Sequence, residues 1–235
     1  MVIQSDKWIN GMIITTFIAE PIMTTAGQLV GCELLTRFHR EDLPVLNSRY
    51  YIMAMSVEGK RNLLMQQLEA IEAKAGWFRD YGLFCTVNVD SIQARLCVID
   101  SEVKNLLLKL DFLRLEIEEN FEGLEYGINQ PLIKSLLDNG NRLFLDDLGA
   151  GRANLAALTT GCYEAVKLDR AFYRHEVQKP TFNVLMKNIM RYCSYVIVEG
   201  VEDKQDIPVL RDAGITAIQG YLYKSVPFHK VHTLL

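Results

Sequence analysis

The sequence predicts an α/β fold, a modified (β/α)8 barrel of the TIM type whose first strand is antiparallel to the second. Three observations predict it. Short runs of β-branched and aliphatic residues recur along the chain, segments with helical spacing separate most of them, and the runs number eight. Alternating strands and helices form a mostly parallel sheet. In a chain of 235 residues, eight strands close economically into a barrel.

The eight predicted strands follow one another along the whole chain. They span Ile13–Ile22, Leu29–Arg37, Leu83–Asp90, Leu113–Glu119, Arg142–Leu148, Ala165–Asp169, Tyr195–Val201 and Ala217–Tyr221. Only Met23–Gln28 separates the first two strands, which is too short for the dozen or more residues that a parallel crossover needs. The first strand is therefore expected to be antiparallel to the second.

Helix-length segments lie between most of the strands. Arg61–Arg79 has apolar residues at spacings of three, four and six, and Phe182–Tyr192 is a second such segment. No linker rich in Pro, Gly or Ser interrupts the chain, and no repeat of 20 to 50 residues is present. We therefore expect residues 1–235 to form one domain.

Composition excludes several classes of function. The chain has 25 Lys and Arg against 29 Asp and Glu, a net charge of −4, which disfavours a surface for polymeric nucleic acid. Met1–Asn10 has no signal-peptide pattern and no apolar run is long enough to span a membrane, so a cytoplasmic protein without membrane contact is expected. Five cysteines without a Cys-x-x-Cys pair indicate reduced thiols.

Acids, amides and a lysine stand at or near the ends of seven successive predicted strands. In chain order they are Glu33, Asn88, Asp90, Glu116, Glu119, Asp146, Asp147, Lys167, Glu199, Glu202 and Gln219. Catalytic groups of (β/α)8 barrels gather at the carboxyl-terminal rim of the strands, whereas structural polar residues are scattered over the surface. This placement predicts a functional site at one mouth of the barrel.

The charges at this mouth indicate metal chemistry. Glu33, Glu116, Asp146, Asp147 and Glu199 would bring five negative charges together, which repel one another strongly. Two divalent cations and one lysine would balance them. Oxygen ligands without His or Cys favour Mg²⁺ or Mn²⁺ over Zn²⁺, and a pair of such ions is a common device for phosphodiester hydrolysis.

Each of these features also has a simpler explanation. A single acid at a strand end is often a solvated surface group or a helix N-cap. The segment Asp146-Asp147-Leu148-Gly149-Ala150-Gly151 could be an ordinary turn, because glycine supplies positive φ and a short Gly-x-Gly is a weak phosphate signal. It is their joint placement that favours a functional site.

Taken in order, the motifs resemble those of EAL-domain phosphodiesterases, which hydrolyse the bacterial second messenger cyclic di-GMP, and in particular short stand-alone enterobacterial members. The resemblance extends from Glu20-Pro21-Ile22 to Pro227. The matching motifs are Glu33-Leu34-Leu35 with Arg37, Asn88-Val89-Asp90, Glu116-Ile117-Glu118-Glu119, Asp146-Asp147-Leu148-Gly149-Ala150-Gly151, Lys167-Leu168-Asp169, Glu199-Gly200-Val201-Glu202 and Gln219-Gly220-Tyr221-Leu222.

This resemblance implies two Mg²⁺ or Mn²⁺ ions in each site. It implies that one ion is held by Glu33, Asn88, Glu116 and Asp146, and the other by Asp146, Asp147 and Glu199. Lys167 and Glu199, with Glu33, would form the catalytic set that activates a water molecule and converts cyclic di-GMP to linear 5′-pGpG. The implied consequence for the cell is a lower level of a messenger that controls motility, adhesion and biofilm.

The resemblance also implies substrate contacts and a dimer. Arg37 would bind a substrate phosphate, because its planar guanidinium suits that group. The residues Glu20, Glu202 and Gln219 would line the pocket, and Glu119 would brace the loop after Asp147 that leads to a homodimer interface. Three positions depart from the family pattern. They are Glu20 in place of Gln, Leu148 in place of Phe and Arg152 in place of an aromatic residue.

Two hypotheses from different classes follow. One is a metal-dependent cyclic di-GMP phosphodiesterase, which the complete set of acids favours. The other is a catalytically silent member that acts as a nucleotide receptor or as an antagonist that binds a protein partner. A barrel acting on another phosphate or sugar substrate is a more distant third, because a fold by itself does not determine the reaction.

Overall fold

A computed structural model of the chain describes residues 13–40, 43–44, 47–118, 121–149 and 155–235. The strands within these ranges are β1 (Ile13–Thr24), β2 (Leu29–Arg40), β3 (Leu43–Pro44), β4 (Phe84–Val89), β5 (Leu113–Glu118), β6 (Arg142–Leu148), β7 (Ala165–Leu168), β8 (Tyr195–Val198), β9 (Ala217–Gln219) and β10 (Val226–Pro227). Eight of them close into a ring in the order β1-β2-β4-β5-β6-β7-β8-β9, because β1 pairs with both β2 and β9. The predicted barrel is confirmed.

Strand β1 is antiparallel to both of its neighbours in the ring, and all other neighbours in the ring are parallel. A tight turn joins β1 to β2, in which Thr24 N–H donates to the carbonyl oxygen of Gln28 at 2.8 Å. Gly27 adopts φ +82° there, a conformation that favours glycine. The predicted antiparallel first strand is confirmed, for the reason given by the short connection.

Helices cover the outside of the barrel. They are α1 (Ser48–Met53), α2 (Val57–Glu72), α3 (Ala75–Asp80), α4 (Ser91–Ile99), α5 (Ser101–Leu107), α6 (Pro131–Asp138), α7 (Leu155–Thr159), α8 (Arg170–Glu176), α9 (Phe182–Ile189) and α10 (Ile207–Asp212). In the described part of the chain, 3₁₀ helices span Leu124–Asn129, Lys204–Asp206 and Phe228–Leu234. None of the helices in the described ranges is both long and apolar enough to cross a membrane.

The predicted helix over Arg61–Arg79 is divided into α2 and α3 by a turn at Lys74, whose φ and ψ are −114° and 7°. Gly76 follows two residues later and lowers the local helix propensity. In α3, the Phe78 ring stacks on Phe112, with centroids 4.8 Å apart.

The inside of the barrel contains one compact apolar layer. It consists of Ile22, Phe84, Phe144, Ala165, Ile197 and Ala217, all buried. A separate and larger core fills the space between the strands and the surrounding helices. Side chains alternate along a strand, so the next inward-facing residue lies directly above this layer, toward the carboxyl end of each parallel strand and toward the amino end of the antiparallel β1. The mouth of the barrel is built from those residues.

Strands β1 and β2 extend beyond the ring. They pair with each other from Ile13↔Arg40 to Met23↔Leu29, whereas β2 pairs with β4 only from Gly31 to Leu34. The remaining part of this hairpin therefore projects past the mouth. Helix α1 packs against it, with the Tyr51 ring 4.5 Å from the Phe38 ring.

Candidate metal centre

Lys167 lies at the centre of the mouth, with only 1% of the residue exposed. Its ammonium nitrogen Nζ contacts carboxylate oxygens from four strands or strand ends. The distances are 2.7 Å to Glu199, 2.8 Å to Glu33, 3.2 Å to Glu116 and 3.3 Å to Asp146. The structure therefore brings together the lysine and four of the acids that the sequence analysis predicted to share a site.

Glu33 is the most fully hydrogen-bonded of these acids. Besides Lys167, Asn88 Nδ2 donates to its Oε1 at 2.6 Å and Gln219 Nε2 donates to its Oε2 at 2.7 Å. Burial acts to raise the pKa of the Glu33 carboxyl, but the Lys167 charge and these hydrogen bonds outweigh it and lower that pKa. Glu33 is therefore held as a carboxylate, and the pKa of Lys167 is raised by the surrounding acids despite its burial.

The other acids are held less favourably. Burial, reinforced by the Glu33 charge, raises the pKa of Glu116 well above its usual value, and burial also raises that of Asp146. Burial raises the pKa of Glu199 to about 8 and, together with the charge of Asp146, that of Asp147 to about 6. One lysine therefore does not neutralise the mouth, and further positive charge would stabilise the carboxylate forms.

The donor set fits a divalent cation. Asp146, Asp147 and Glu199 each offer a carboxylate oxygen, and the three oxygens lie within 4.8 Å of one another. One buried oxygen, Glu116 Oε1, has no hydrogen-bond partner among the described residues, and the buried Asp146 Oδ1 lies 3.3 Å from Lys167 Nζ. Oxygen ligands suit Mg²⁺ or Mn²⁺. A cation held there would neutralise the acids and polarise a phosphate oxygen of a bound ligand.

Asp147 reaches this group through an unusual backbone conformation. Its φ of +58° makes it the one residue other than glycine with positive φ in the described ranges. Left-handed backbone is uncommon for such residues and is found where the surrounding structure fixes it, often at functional sites. In this conformation a carboxylate oxygen of Asp147 lies within 4.8 Å of one of Asp146.

A cavity of about 710 Å³ opens beside the acids, between the projecting hairpin and helices α1, α2 and α4. Arg37, predicted to bind phosphate, lines it and donates through Nη1 to the carbonyl oxygen of Thr36 at 3.2 Å. The wall also includes Asn88, Asp146 and Asp147. A polar ligand in this cavity would contact both the acids and a guanidinium group.

Three predicted pocket residues lie in different surroundings. Gln219 is buried against Glu33, and Glu20 faces Glu33 across the β1–β2 pair, where burial and the Glu33 charge raise its pKa. Glu202 instead pairs with Arg170 at 2.8 Å and Arg174 at 3.1 Å and does not line the cavity. Its predicted contact with a bound ligand stays a prediction.

Some predictions fall on residues that the structure does not describe. These are the brace at Glu119, the departure at Arg152 and the predicted dimer contact in the loop after Asp147, much of which lies in residues 150–154. Asp90, at a predicted strand end, is the N-cap of α4, where its Oδ1 accepts from the backbone N–H groups of Ile92 and Gln93. The simpler explanation of a strand-end acid therefore applies at Asp90.

Two cations at the cavity wall were missed by the sequence analysis. Lys60 is 4% exposed and its Nζ lies 2.5 Å from Asp90 Oδ2. Arg49 of α1 lies 2.7 Å from Glu118 and 3.8 Å from Asp147. Neither residue belongs to a motif, and only the three-dimensional packing of α1 and α2 at the mouth identifies them.

Comparison with known proteins gives relatives that span nearly the whole chain. The anti-FlhC(2)FlhD(4) factor YdiV of Salmonella paratyphi B is 27% identical over 220 residues, which are 92% of each protein. A crystal structure of the EAL-like domain protein YdiV superimposes with a TM-score of 0.87 at 26% identity, covering 95% of this chain and 97% of that one. The phosphodiesterase PaMucR in complex with c-di-GMP gives 0.74 at 21% identity, covering 94% of each chain, a likeness of fold.

The expected phosphodiesterase function is wrong on this evidence. Relatives that match 92% of the chain are named as anti-FlhC(2)FlhD(4) factors rather than as enzymes. The sequence analysis inferred catalysis from the presence of every acid. In the structure, however, Lys167 and Arg49 already engage most of those acids within the chain. A complete set of acids at the rim therefore does not decide between an enzyme and a binding protein.

The family itself follows from the fold, the site and one further match. The barrel with an antiparallel first strand, the acids around Lys167 and the order of the motifs all agree with the resemblance stated from sequence. The model of the EAL domain family matches residues 15–225. This chain belongs to the EAL domain family.

Proposed function

We propose that this chain is a catalytically silent EAL protein that acts by binding a protein partner, as an antagonist of an FlhC(2)FlhD(4)-type assembly. The observation that carries this proposal is the whole-chain likeness to the EAL-like protein YdiV, with a TM-score of 0.87. The printed name of the relatives, anti-FlhC(2)FlhD(4) factor, supplies the class of partner.

The electrostatics of the mouth support the proposal. Lys167 contacts four carboxylates at once, so each of these buried acids has a cationic partner within the chain, although one lysine balances only part of their charge. Arg49 adds a second internal cation beside Asp147. A regulator that works through its surface can keep such a cluster without using it for turnover.

The experiment is direct measurement of complex formation. The purified chain is mixed with the FlhC(2)FlhD(4) assembly encoded in the same genome, and binding is followed by size-exclusion chromatography with light scattering and by calorimetry. A complex of defined stoichiometry is expected. A folded chain that forms no complex with that assembly would contradict the proposal.

A matched variant and a turnover assay complete the design. Glu33→Gln changes a residue that is 4% exposed, so it removes a charge from the mouth while leaving the outer surface as it is. It is expected to bind the partner as the unmodified chain does. In parallel, cyclic di-GMP incubated with the chain and Mn²⁺ is expected to stay intact by chromatography, and formation of pGpG at enzymatic rates would also contradict the proposal.

A further inference from the structure

Helix α1 lies at the mouth of the barrel and is weakly attached to it. The helix has only six residues, and none of them is buried. Asn47 caps its first turn, with Oδ1 accepting from Tyr50 N–H at 3.2 Å. Residues Ser48, Arg49, Ile52 and Met53 line the cavity beside the acids. A short exposed helix of this kind can shift at low cost when a contact at the mouth changes.

Arg49 is the charged contact between α1 and the mouth. Its Nη2 lies 2.7 Å from Glu118 Oε2 and its Nη1 lies 3.8 Å from Asp147 Oδ2. Asp147 is also one of the three acids whose oxygens could hold a divalent cation. One carboxylate therefore faces a guanidinium group on one side and a candidate cation position on the other.

We propose that Arg49 is an internal competitor for that cation, so that docking of α1 and binding of Mn²⁺ or Mg²⁺ oppose each other. Two positive groups that share one carboxylate repel each other, and each weakens the attraction of Asp147 for the other. By thermodynamic reciprocity, a cation at Asp146, Asp147 and Glu199 loosens α1 by the same free energy by which Arg49 weakens the cation. Arg49 is thus a positioning residue that links the buried acids to the outer surface.

The geometry separates this proposal from an ordinary surface ion pair. If Arg49 served only to pair with Glu118, the cation would not sense its removal. Because Arg49 also lies 3.8 Å from Asp147 and α1 lines the cavity wall, we expect the removal of Arg49 to change the affinity for the cation. The inference goes beyond the proposed function and is tested on the chain alone, so its outcome does not depend on any protein partner.

The first test measures Mn²⁺ affinity by calorimetry for the unmodified chain and Arg49→Gln. Removal of the partly exposed guanidinium is expected to tighten Mn²⁺ binding about three- to tenfold. Arg49→Lys keeps the charge and is expected to stay within about twofold of the unmodified chain. The control is Arg79→Gln, since Arg79 pairs with Asp111 in the turn before β5, at the opposite end of the barrel.

Arg79→Gln is expected to leave the affinity unchanged. Equal affinities for the unmodified chain and Arg49→Gln would overturn the proposal, and so would the absence of measurable Mn²⁺ binding by both proteins.

The second test measures amide hydrogen exchange across α1. In the unmodified chain, saturating Mn²⁺ is expected to speed exchange of the α1 amides several-fold, while the strands of the barrel keep their protection. In Arg49→Gln, α1 is expected to exchange quickly with and without Mn²⁺, because its charged contact is already lost. Exchange in α1 that does not respond to Mn²⁺ in the unmodified chain would overturn the coupling.

Discussion

The inner layer of the barrel and its mouth are built from the same strands, two residues apart, yet they differ completely in chemistry. The inner residues and the mouth residues that follow them on the same face are Phe144 and Asp146, Ala165 and Lys167, Ile197 and Glu199, and Ala217 and Gln219. The inner layer is fully enclosed, whereas at the mouth the Glu199 side chain is 22% exposed. Because side chains alternate along a strand, two residues on the same face lie in successive layers of the barrel. Apolar residues make the inner layer a packed core, and acids with a lysine make the next layer a charged cluster.

The two layers also differ in what they contribute to stability. The inner layer removes apolar surface from water, with the Phe84 and Phe144 rings packed edge to face at 5.3 Å. The mouth places acids in a setting that raises the pKa of Glu116, Asp146 and Glu199. Such charges cost stability unless they are paired. The comparison teaches that the inner layer holds the barrel together, whereas the mouth places costly charges that must be paired to be stable.

The largest effect is expected from Lys167→Met, which removes the counter-charge of four buried carboxylates. We expect the free energy of unfolding at pH 8 to fall by about 5 kcal/mol, the upper end for breaking a buried ion pair. Addition of Mn²⁺ should recover a large part of the loss, because it returns positive charge to the acids. Urea titrations with and without Mn²⁺ measure both effects.

Lys109→Met is the matched control for that substitution. Lys109 is 61% exposed and pairs with Glu72 at 2.9 Å, so its loss should change the free energy of unfolding by about 0.5 kcal/mol or less. If Lys167→Met lowered stability by no more than this control does, the mouth would not depend on its lysine.

The next effect tests the inner layer with Phe144→Ala. This residue is fully buried, and truncation of such an aromatic ring should lower the free energy of unfolding by about 3–4 kcal/mol. Because the substitution leaves the acids in place, Mn²⁺ affinity should stay within about twofold of the unmodified chain. Phe144→Leu, which leaves a smaller cavity, is the control and should lose less. A tenfold change in Mn²⁺ affinity would show that the two layers are not separable.

A smaller effect of opposite sign is expected from Glu116→Gln. Glu116 is completely buried, and its Oε1 has no hydrogen-bond partner in the described part of the chain. Removal of its charge relieves repulsion from Glu33, so we expect a gain of about 1 kcal/mol at pH 8. If Glu116 is a cation ligand, Mn²⁺ binding should weaken at least about tenfold at the same time.

Glu102→Gln is the control, because it removes the charge of a glutamate whose side chain is 67% exposed. It should change the free energy of unfolding and the Mn²⁺ affinity only slightly. Thermal unfolding and calorimetry on the same three proteins make the measurement. A loss of stability in Glu116→Gln would mean that the acid contributes favourably to the fold, which would contradict the contrast between the two layers.

Much of this contrast could be predicted from the sequence. Runs of β-branched and aliphatic residues identified all eight strands of the ring, and the short Met23–Gln28 connection required the antiparallel first strand. The acids and Lys167 were expected at one rim because barrel strands end there. These predictions succeeded because they depend on the local spacing of apolar residues and on the closure of eight strands into a barrel, which few strand orders allow.

The rest depends on contacts between distant segments. Nothing near Arg49 in the sequence indicates that α1 lies against Glu118 and Asp147, which are 69 and 98 positions away. The pairing of Glu202 with Arg170 and Arg174 was likewise not predicted, because no motif indicates it. The function was predicted wrongly for a related reason. The same acids are compatible with an enzyme or with a binding protein whose acids pair with a lysine inside the chain, and the residue types alone do not distinguish the two.

The smallest expected effect is on the pH dependence of stability. The pKa of Asp147 is raised from 3.8 to about 6 and that of Glu199 from 4.5 to about 8, so the folded chain binds more protons than the unfolded chain between these values. The stabilisation is complete below about pH 4 and is lost as pH rises through about 6 and then 8. We therefore expect the Tm to fall by a few degrees between pH 5.5 and pH 8.5.

Mn²⁺ should act in the opposite direction, because a cation competes with protons for the same carboxylates and binds more tightly as they ionise. The rise in Tm caused by Mn²⁺ should therefore grow from pH 5.5 to pH 8.5, which scanning fluorimetry at three pH values can measure. The double substitution Asp147→Asn with Glu199→Gln should flatten both profiles, whereas Asp111→Asn, at a side chain 73% exposed, should not. An equal Tm shift by Mn²⁺ at every pH would mean that Asp147 and Glu199 titrate independently of the cation. The mouth would then lack the charge imbalance that distinguishes it from the apolar layer beneath.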